Sequence, residues 1–559
     1  MALMSAFTSG SVPEHGEESH TDSGVTAGLY SWPVTFTVNA AGHLTQAARS
    51  YDNTLTYAAH ALVIGSDSNI YRATTSTVGN NPVTDSGSNW ALYLATGNIS
   101  LSVAAAGRFA TPWAAYDFIK SAIIPDGTVV TISLAAETYT KTTAWYVNHP
   151  FGNNIKIVGP SSATTKLLFS SHTDGIQVGW DTTVSTARQP GGRLYIEGVE
   201  IEGTWDYTGA GGSGDNGYNK IGIAAWGTGA CVTCNDVLVD KFYFGFHASR
   251  GGTIFADGCD VTGCGDSGFI ALHSGHIQCK DSTVVNAKAD GVSLGHGYTV
   301  ENNGSMEVGG ASATGCRNAG FIVANSGAMI ARTAITSSNN VASTGSGAEV
   351  REGGSLLLAA GGTFSSNGAQ GIYVKGGDFR TASTTTCSSN TGTGIMAEGG
   401  IVRIDGATTC NSNGVDGIRA LHGATVLYNA NVTCNSNTLN GVRLQFGAGM
   451  YRNSGTLTCH SNTDDGVELD NAIATIRSCA VGVNGQANGG FGIHAQNLSK
   501  VDASGGTITY NTSFGVTATN MSQVIVTGAN VNNNNGAGVQ YSPNTEDAFG
   551  TNGVYIRTL

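Results

Sequence analysis

Asp464, Asp465, Glu468 and Asp470 place four carboxylates within seven residues, in a chain whose charged residues make up only 12%. Glycoside hydrolysis needs two such groups, one protonated to release the leaving oxygen and one ionised to attack or to activate water. Retaining enzymes hold them about 5–5.5 Å apart and inverting enzymes about 6.5–9.5 Å apart. On an extended strand Glu468 and Asp470 share one face as i and i+2, about 6.5–7 Å apart along the backbone, which suits inversion. Repulsion between neighbouring acids raises one pKa and so makes a proton donor. Asp464 and Asp465 fall in the turn before this strand, where acids are commonplace. Together with Arg443 they are also the residues a Ca²⁺-assisted lyase would use. Glu398 and Glu349 are alternative acids further back in the chain.

These residues sit in a repeat. A Gly-apolar-x-apolar unit recurs fourteen times, from Gly222 through Gly245, Gly268, Gly291, Gly320, Gly347 and on to Gly492, Gly515 and Gly538, at spacings of 23 to 29 residues. Alternation of period two marks a strand with one buried face. Four residues before the glycine runs a column of Asn367, Asn390, Asn413, Asn437, Asn462, Asn488, Asn511 and Asn534. Seven before it runs Val261, Val284, Phe364, Cys387, Cys410, Cys434, Cys459, Ile508 and Val531. Registered columns about 24 residues apart describe a single-stranded right-handed parallel β-helix, an all-β solenoid. No proline interrupts residues 191–542, as continuous ladders require. The longer spacings around Gly291, Gly320 and Gly347 predict bulging loops.

Positions two and four after each glycine point away from the core. From Gly347 onward they carry Glu349, Arg351, Tyr373, Lys375, Met396, Glu398, Arg419, Arg443, Gln445, Glu468, Asp470, His494 and Gln496. Earlier coils are blander there, with Ile270, Leu272, Ser293, Gly295, Ile322 and Ala324. Arg351, Tyr373, Lys375, Arg419, Arg443 and His494 would bind substrate beside the acids, along a strip of about 30 Å at the strand spacing. The opposing reading is a solvated face with ordinary rung-to-rung ion pairs. A glycine-rich stretch, 195–220, adds Glu200, Glu202, Trp205, Asp206, Tyr207, Asp215 and Tyr218, aromatic and acidic side chains that suit saccharide contact.

Metal and cofactor chemistry finds weaker footing. His273, His276 and His296 lie near Asp266 and Asp290 without ligand spacing, which favours solvated turn histidines. Cys231 and Cys234 with Cys259 and Cys264 would make a zinc set, but cysteine elsewhere fills the inward column as a small hydrophobe. No cofactor and no metal is expected. Net charge of −13 argues against nucleic acid, and no apolar run suffices for membrane insertion. Eleven cysteines, an odd number, fit a chain made in a reducing cytoplasm, and the N-terminus lacks the pattern of a signal peptide.

Upstream of the repeat, "TPWAAYDFIKSAI" (111–123) reads as a helix capping the first coil, with Trp113, Tyr116 and Ile119 on one face. The segment "GRFATPWAAYDFIKSAIIPDGTVVTISLAAETYTKTTAWYVNHPFGNNIKIVG" resembles the opening of the β-helix in bacteriophage tailspikes and tail fibres. "HALVIGSDSNIYRATTSTVGNNPVTDSGSNWALY" (60–93), with Tyr71, Pro82, Trp90 and Tyr93, is similar to a small carbohydrate-binding-module-like unit of phage tail proteins, and "VTFTVNAAGHLTQAA" (34–48) to short fibre-shaft repeats. Together these divide the chain into an attachment and shaft segment (1–55), a small β module (56–98) and the β-helix (99–559). The resemblance implies a virion-borne homotrimer, attached to phage tail or baseplate proteins through its N-terminus, that binds host surface polysaccharide such as O-antigen or capsule. It also implies depolymerase activity, glycosidase ahead of lyase, with a purely adhesive fibre as the alternative.

Overall fold

The computed structural model describes residues 36–38, 44–47, 49–171, 173–179, 192–204, 221–287, 295–341, 345–483, 485–534 and 555–557 of the 559. Trp205, Asp206, Tyr207, Asp215, Tyr218, Asp290, Gly291 and Gly538 lie outside the described residues.

The chain winds as a right-handed parallel β-helix with three ladders of strands. One ladder runs from Ile99–Val103 through Val130–Leu134 to Gln523–Ile525, where Tyr555–Arg557 pairs with it. A second runs from Thr138–Lys141 to Thr507–Ile508. Two long strands, Arg193–Glu202 and Cys231–Asp240, bend from the first ladder into the second. The third, which we call the site ladder, holds 15 strands from Trp145–Val147 to Val516–Ala518.

Each inward column is a stack. Phe246, Phe269, Tyr298 and Phe321 lie ring on ring with centroids 4.7, 5.1 and 4.8 Å apart. Cys387, Cys410, Cys434 and Cys459 are wholly buried below one another in the turn-side column. All eleven cysteines are free thiols, and only Cys231 is less than buried. Burial pushes the Cys279 thiol well up and the Cys316 and Cys479 thiols to about 12, so they behave as small hydrophobes. A thiol reagent should therefore label Cys231 alone in the native protein and all eleven after unfolding in guanidinium, read by mass spectrometry of the labelled peptides. Labelling of the inward column under native conditions would contradict this packing.

The asparagine column forms a continuous side-chain ladder. Asn367 Nδ2 donates to Asn390 Oδ1 at 3.0 Å, and the pattern repeats through Asn413, Asn437, Asn462, Asn488, Asn511 and Asn534. Each Oδ1 from Asn390 to Asn488 also accepts the backbone N–H of the asparagine on the preceding rung. The amide thus closes a buried turn that would otherwise strand polar groups.

One rung is displaced from its expected place. The strand that pairs with Ser267–Leu272 is His296–Glu301, so Gly297 and not Gly291 holds the repeat position. The extra residues precede this strand, its inward pair is Tyr298 and Val300, and Thr299 and Glu301 replace Ser293 and Gly295 as outward residues.

A helix, Pro112–Ile119, follows the Thr111 cap, whose side chain accepts from Ala114 N–H. It lays Tyr116, Phe118 and Ile119 on the first coil, while Trp113 and Tyr116 meet Trp145 edge to face. Arg108 then ties the coil to the upstream four-stranded sheet through Asp85 O at 2.8 Å and Pro82 O at 3.0 Å. In that sheet Trp90 and Tyr71 are core residues, and Trp90 Nε1 donates to Asn80 O at 2.7 Å. One apolar core continues from Tyr57 to Val526.

Candidate active site

Most strands of the site ladder end in the same way. The fifth residue after the repeat glycine is left-handed on twelve successive rungs, from Arg250 (φ 57°) to Asn520 (φ 49°). The glycine itself permits a tight entry: a Cβ on Gly441 would lie 2.6 Å from Gly466 O. Between these two punctuation points the strand presents residues two and four on its outer side.

The residue immediately before the glycine joins them there. This column reads Asp416, Asn440 and Asp465 on three successive rungs. By simple alternation it would face inward, but the chain bends at the glycine and resets the phase. Asp465 is therefore no mere turn acid: it is buried, and its Oδ2 meets His494 Nδ1 at 3.2 Å. Its Oδ1 accepts Phe491 N–H at 2.6 Å.

Four rungs thus build one polar network. Glu468 Oε2 lies 2.9 Å from Arg443 Nε and accepts from Asn440 Nδ2 at 3.0 Å. Its Oε1 accepts from Gln496 Nε2 at 3.3 Å. Asn440 also reaches Asp416 Oδ1, through its N–H at 3.0 Å and its Nδ2 at 3.2 Å, while Asp416 Oδ2 is buried without a partner. Arg419 donates to Gln445 Oε1 at 3.1 Å. Asp470 stands apart, accepting from Asn497 Nδ2 at 2.7 Å. Asp465 and Asp416, and not Asp470, are the carboxylates that act on Glu468.

Burial raises the Glu468 pKa above the ordinary glutamate range, against the pull of Arg443. Asp416 is raised for the same reason, and exposed Asp464 is raised by partial desolvation and by Asp465. His494 moves the other way in chemical terms, since its bond to Asp465 favours the imidazolium and raises its pKa. The stability this pair contributes is present below the ordinary histidine value of about 6.5 and is lost as pH rises through the raised value. His494→Gln should flatten that part of the urea midpoint against pH; an unchanged slope would show the pair to be unformed.

A second cluster lies on three earlier rungs. Tyr373 OH donates to Glu398 Oε2 at 2.7 Å, and Glu349 lies 3.5 Å from Arg351 Nε. Glu349 is 7% exposed and its pKa is raised by burial, whereas Lys375 is exposed. The opposing reading of a solvated face does not hold at Glu349, Gln445 and Glu468, which are all buried by neighbouring rungs.

Other candidates go elsewhere. Glu200 and Glu202 are held by Lys166 and Lys241 in the second ladder. His296 is a buried strand residue, 5% exposed, not a solvated turn histidine, and burial lowers its pKa to about 3. His247, with neither ring nitrogen paired, is lowered to about 3 as well. Among the described residues no group of three metal-ligating side chains comes together.

No protein-family model and no curated protein matches this chain. Among solved structures, the chain is similar to the mannuronan C-5 epimerase AlgE6 A-module of Azotobacter vinelandii at 15% identity, over 66% of this chain and 89% of that one, with a TM-score of 0.36. The AlgE4 A-module of the same organism is similar at 15% identity, over 63% and 87%, with a TM-score of 0.30.

Proposed function

We propose that this protein binds a bacterial surface polysaccharide along the outer side of the site ladder and hydrolyses it at the network around Glu468. The observation that supports this reading is the joining of Glu468, Asp465, Arg443 and His494 on consecutive rungs of one face. Glu468, with its raised pKa, gives its proton to the glycosidic oxygen as the bond to the anomeric carbon breaks. Water attacks that carbon, and Asp465 takes the water proton. Arg443 holds Glu468 in place, and His494 does the same for Asp465. The Glu349, Tyr373 and Glu398 cluster binds hydroxyls farther along the same chain of sugars.

The likeness of residues 34–160 to tailspike segments supports a setting for this activity: a virion-borne homotrimer, attached through its N-terminal segment and aimed at O-antigen or capsule. Incubation with a panel of purified O-antigens and capsules, read as new reducing ends, tests the hydrolase. A product absorbing as an unsaturated uronate would replace it with a lyase. Tight binding without any cleavage would leave an adhesive fibre. Light scattering at three times the 57.0 kDa chain mass tests the trimer.

A further inference from the structure

The left-handed column that closes the site ladder holds one apolar aromatic residue. Its members are asparagine at Asn302, Asn325, Asn471, Asn497 and Asn520, glycine at Gly376 and Gly399, and the polar residues Arg250, His273, Glu352 and His422; asparagine and glycine are the residues that tolerate positive φ best. At Phe446 a bulky aromatic residue takes φ 52° instead, and its side chain is 53% exposed. The strain is therefore not compensated by core burial. Its ring stacks on exposed His422 of the preceding rung, with centroids 5.5 Å apart and planes 12° from parallel. The rung before that carries Gly399, so the column offers no side chain on the far side of the His422 ring.

The location is specific. Phe446 directly follows Gln445 on the strand that bears Arg443, and its N–H donates to Asp470 O at 3.0 Å. His422 follows the strand of Arg419, and Gly399 follows Glu398. The two rings thus edge the polar strip where its two clusters meet. Strained backbone that persists beside a candidate site is a mark of use.

We infer that His422 and Phe446 form a stacking platform for one pyranose ring of the polysaccharide, a subsite that takes the apolar C–H face of a sugar while its hydroxyls reach the strip. This rests on the function proposed above and adds a recognition element to it. Sugar stacking on exposed aromatic rings shields apolar surface on both partners.

Phe446→Asn gives the position the residue found on five other rungs of the column. It should raise the thermal midpoint, because the strain is relieved, and weaken binding about fivefold, on the scale of one aromatic contact. Phe446→Trp should keep the affinity. The probe is an array of purified bacterial O-antigen and capsular polysaccharides, with wild type, Phe446→Asn, Phe446→Trp and His422→Ala compared on the glycan that wild type binds. Equal binding by wild type, Phe446→Asn and His422→Ala would overturn the platform while leaving the proposed function standing. A wild-type protein that binds no glycan on the array would overturn both.

Discussion

Glu468→Gln is expected to lower turnover by about 10²–10⁴-fold, the usual contribution of a positioned proton donor. Glutamine keeps the shape and an oxygen that accepts from Asn440, and gives up only the ion pair with Arg443. The fold should stay intact, with the thermal midpoint within a few degrees of wild type, and polysaccharide binding should persist. In the wild type, activity falls as pH rises through the raised Glu468 pKa, because the acid must carry its proton. Asp465→Asn should cost a comparable factor, since it removes the partner of His494 and the proposed base. Asp470→Asn should cost little, because Asp470 faces Asn497 and not the network. Full activity in Glu468→Gln, or a collapse in Asp470→Asn alone, would move the chemistry away from this network.

The largest effect on stability is expected at the middle of the asparagine ladder. Asn437→Ala removes the acceptor for both Asn413 N–H and Asn413 Nδ2, each at 3.0 Å, and the donor to Asn462 Oδ1. These groups are buried, so they cannot turn to water. Each orphaned polar group costs about 1–3 kcal/mol, which puts the loss at about 3 kcal/mol or more. A solenoid couples mainly to its nearest rungs, so the damage should be local. Hydrogen exchange should show the rungs around residue 437 opening first, with those near Phe269 still protected. Asn437→Asp would test the donor alone, because the carboxylate still accepts from Asn413. Uniform loss of protection along the helix would contradict this local coupling.

Much of this architecture is legible in the residues themselves. A glycine whose Cβ would strike the next backbone, an asparagine that must bond its own kind and an apolar inward pair each leave a fixed residue type at a fixed offset. Three features were not legible. "GVSLG" at Gly291 and "GYTVE" at Gly297 satisfy the same pattern, each 23 residues from one neighbouring repeat glycine, and only strand pairing selects the second. The column of Asp416, Asn440 and Asp465 escaped because its position just before the strand reads as a turn, where acids are commonplace, whereas the bend at the glycine turns it onto the outer face. Its signal was present: with Gly297 as the repeat glycine, the same offset reads Ile221 and Phe244 in early rungs and carries acids only at Asp416 and Asp465. Burial of His296, Glu349 and Glu468 was likewise hidden, since outward direction and solvent exposure part company where long side chains on adjacent rungs cover one another.

The strict parallel register of the site ladder has a consequence for substrate selection. Glu349 pairs in line with Tyr373, and Arg443 with Glu468 and then His494, so any two functional groups are separated by a whole number of rungs. Each rung adds about 4.8 Å. The distance between the Glu349 and Glu468 clusters can therefore change only in steps, as coils of about 24 residues are gained or lost, with every local contact preserved. Under the proposed function the face would work as a vernier: a polymer would be read by whether its repeat length falls into step with the rungs, and specificity would shift by one notch at a time without rebuilding either cluster.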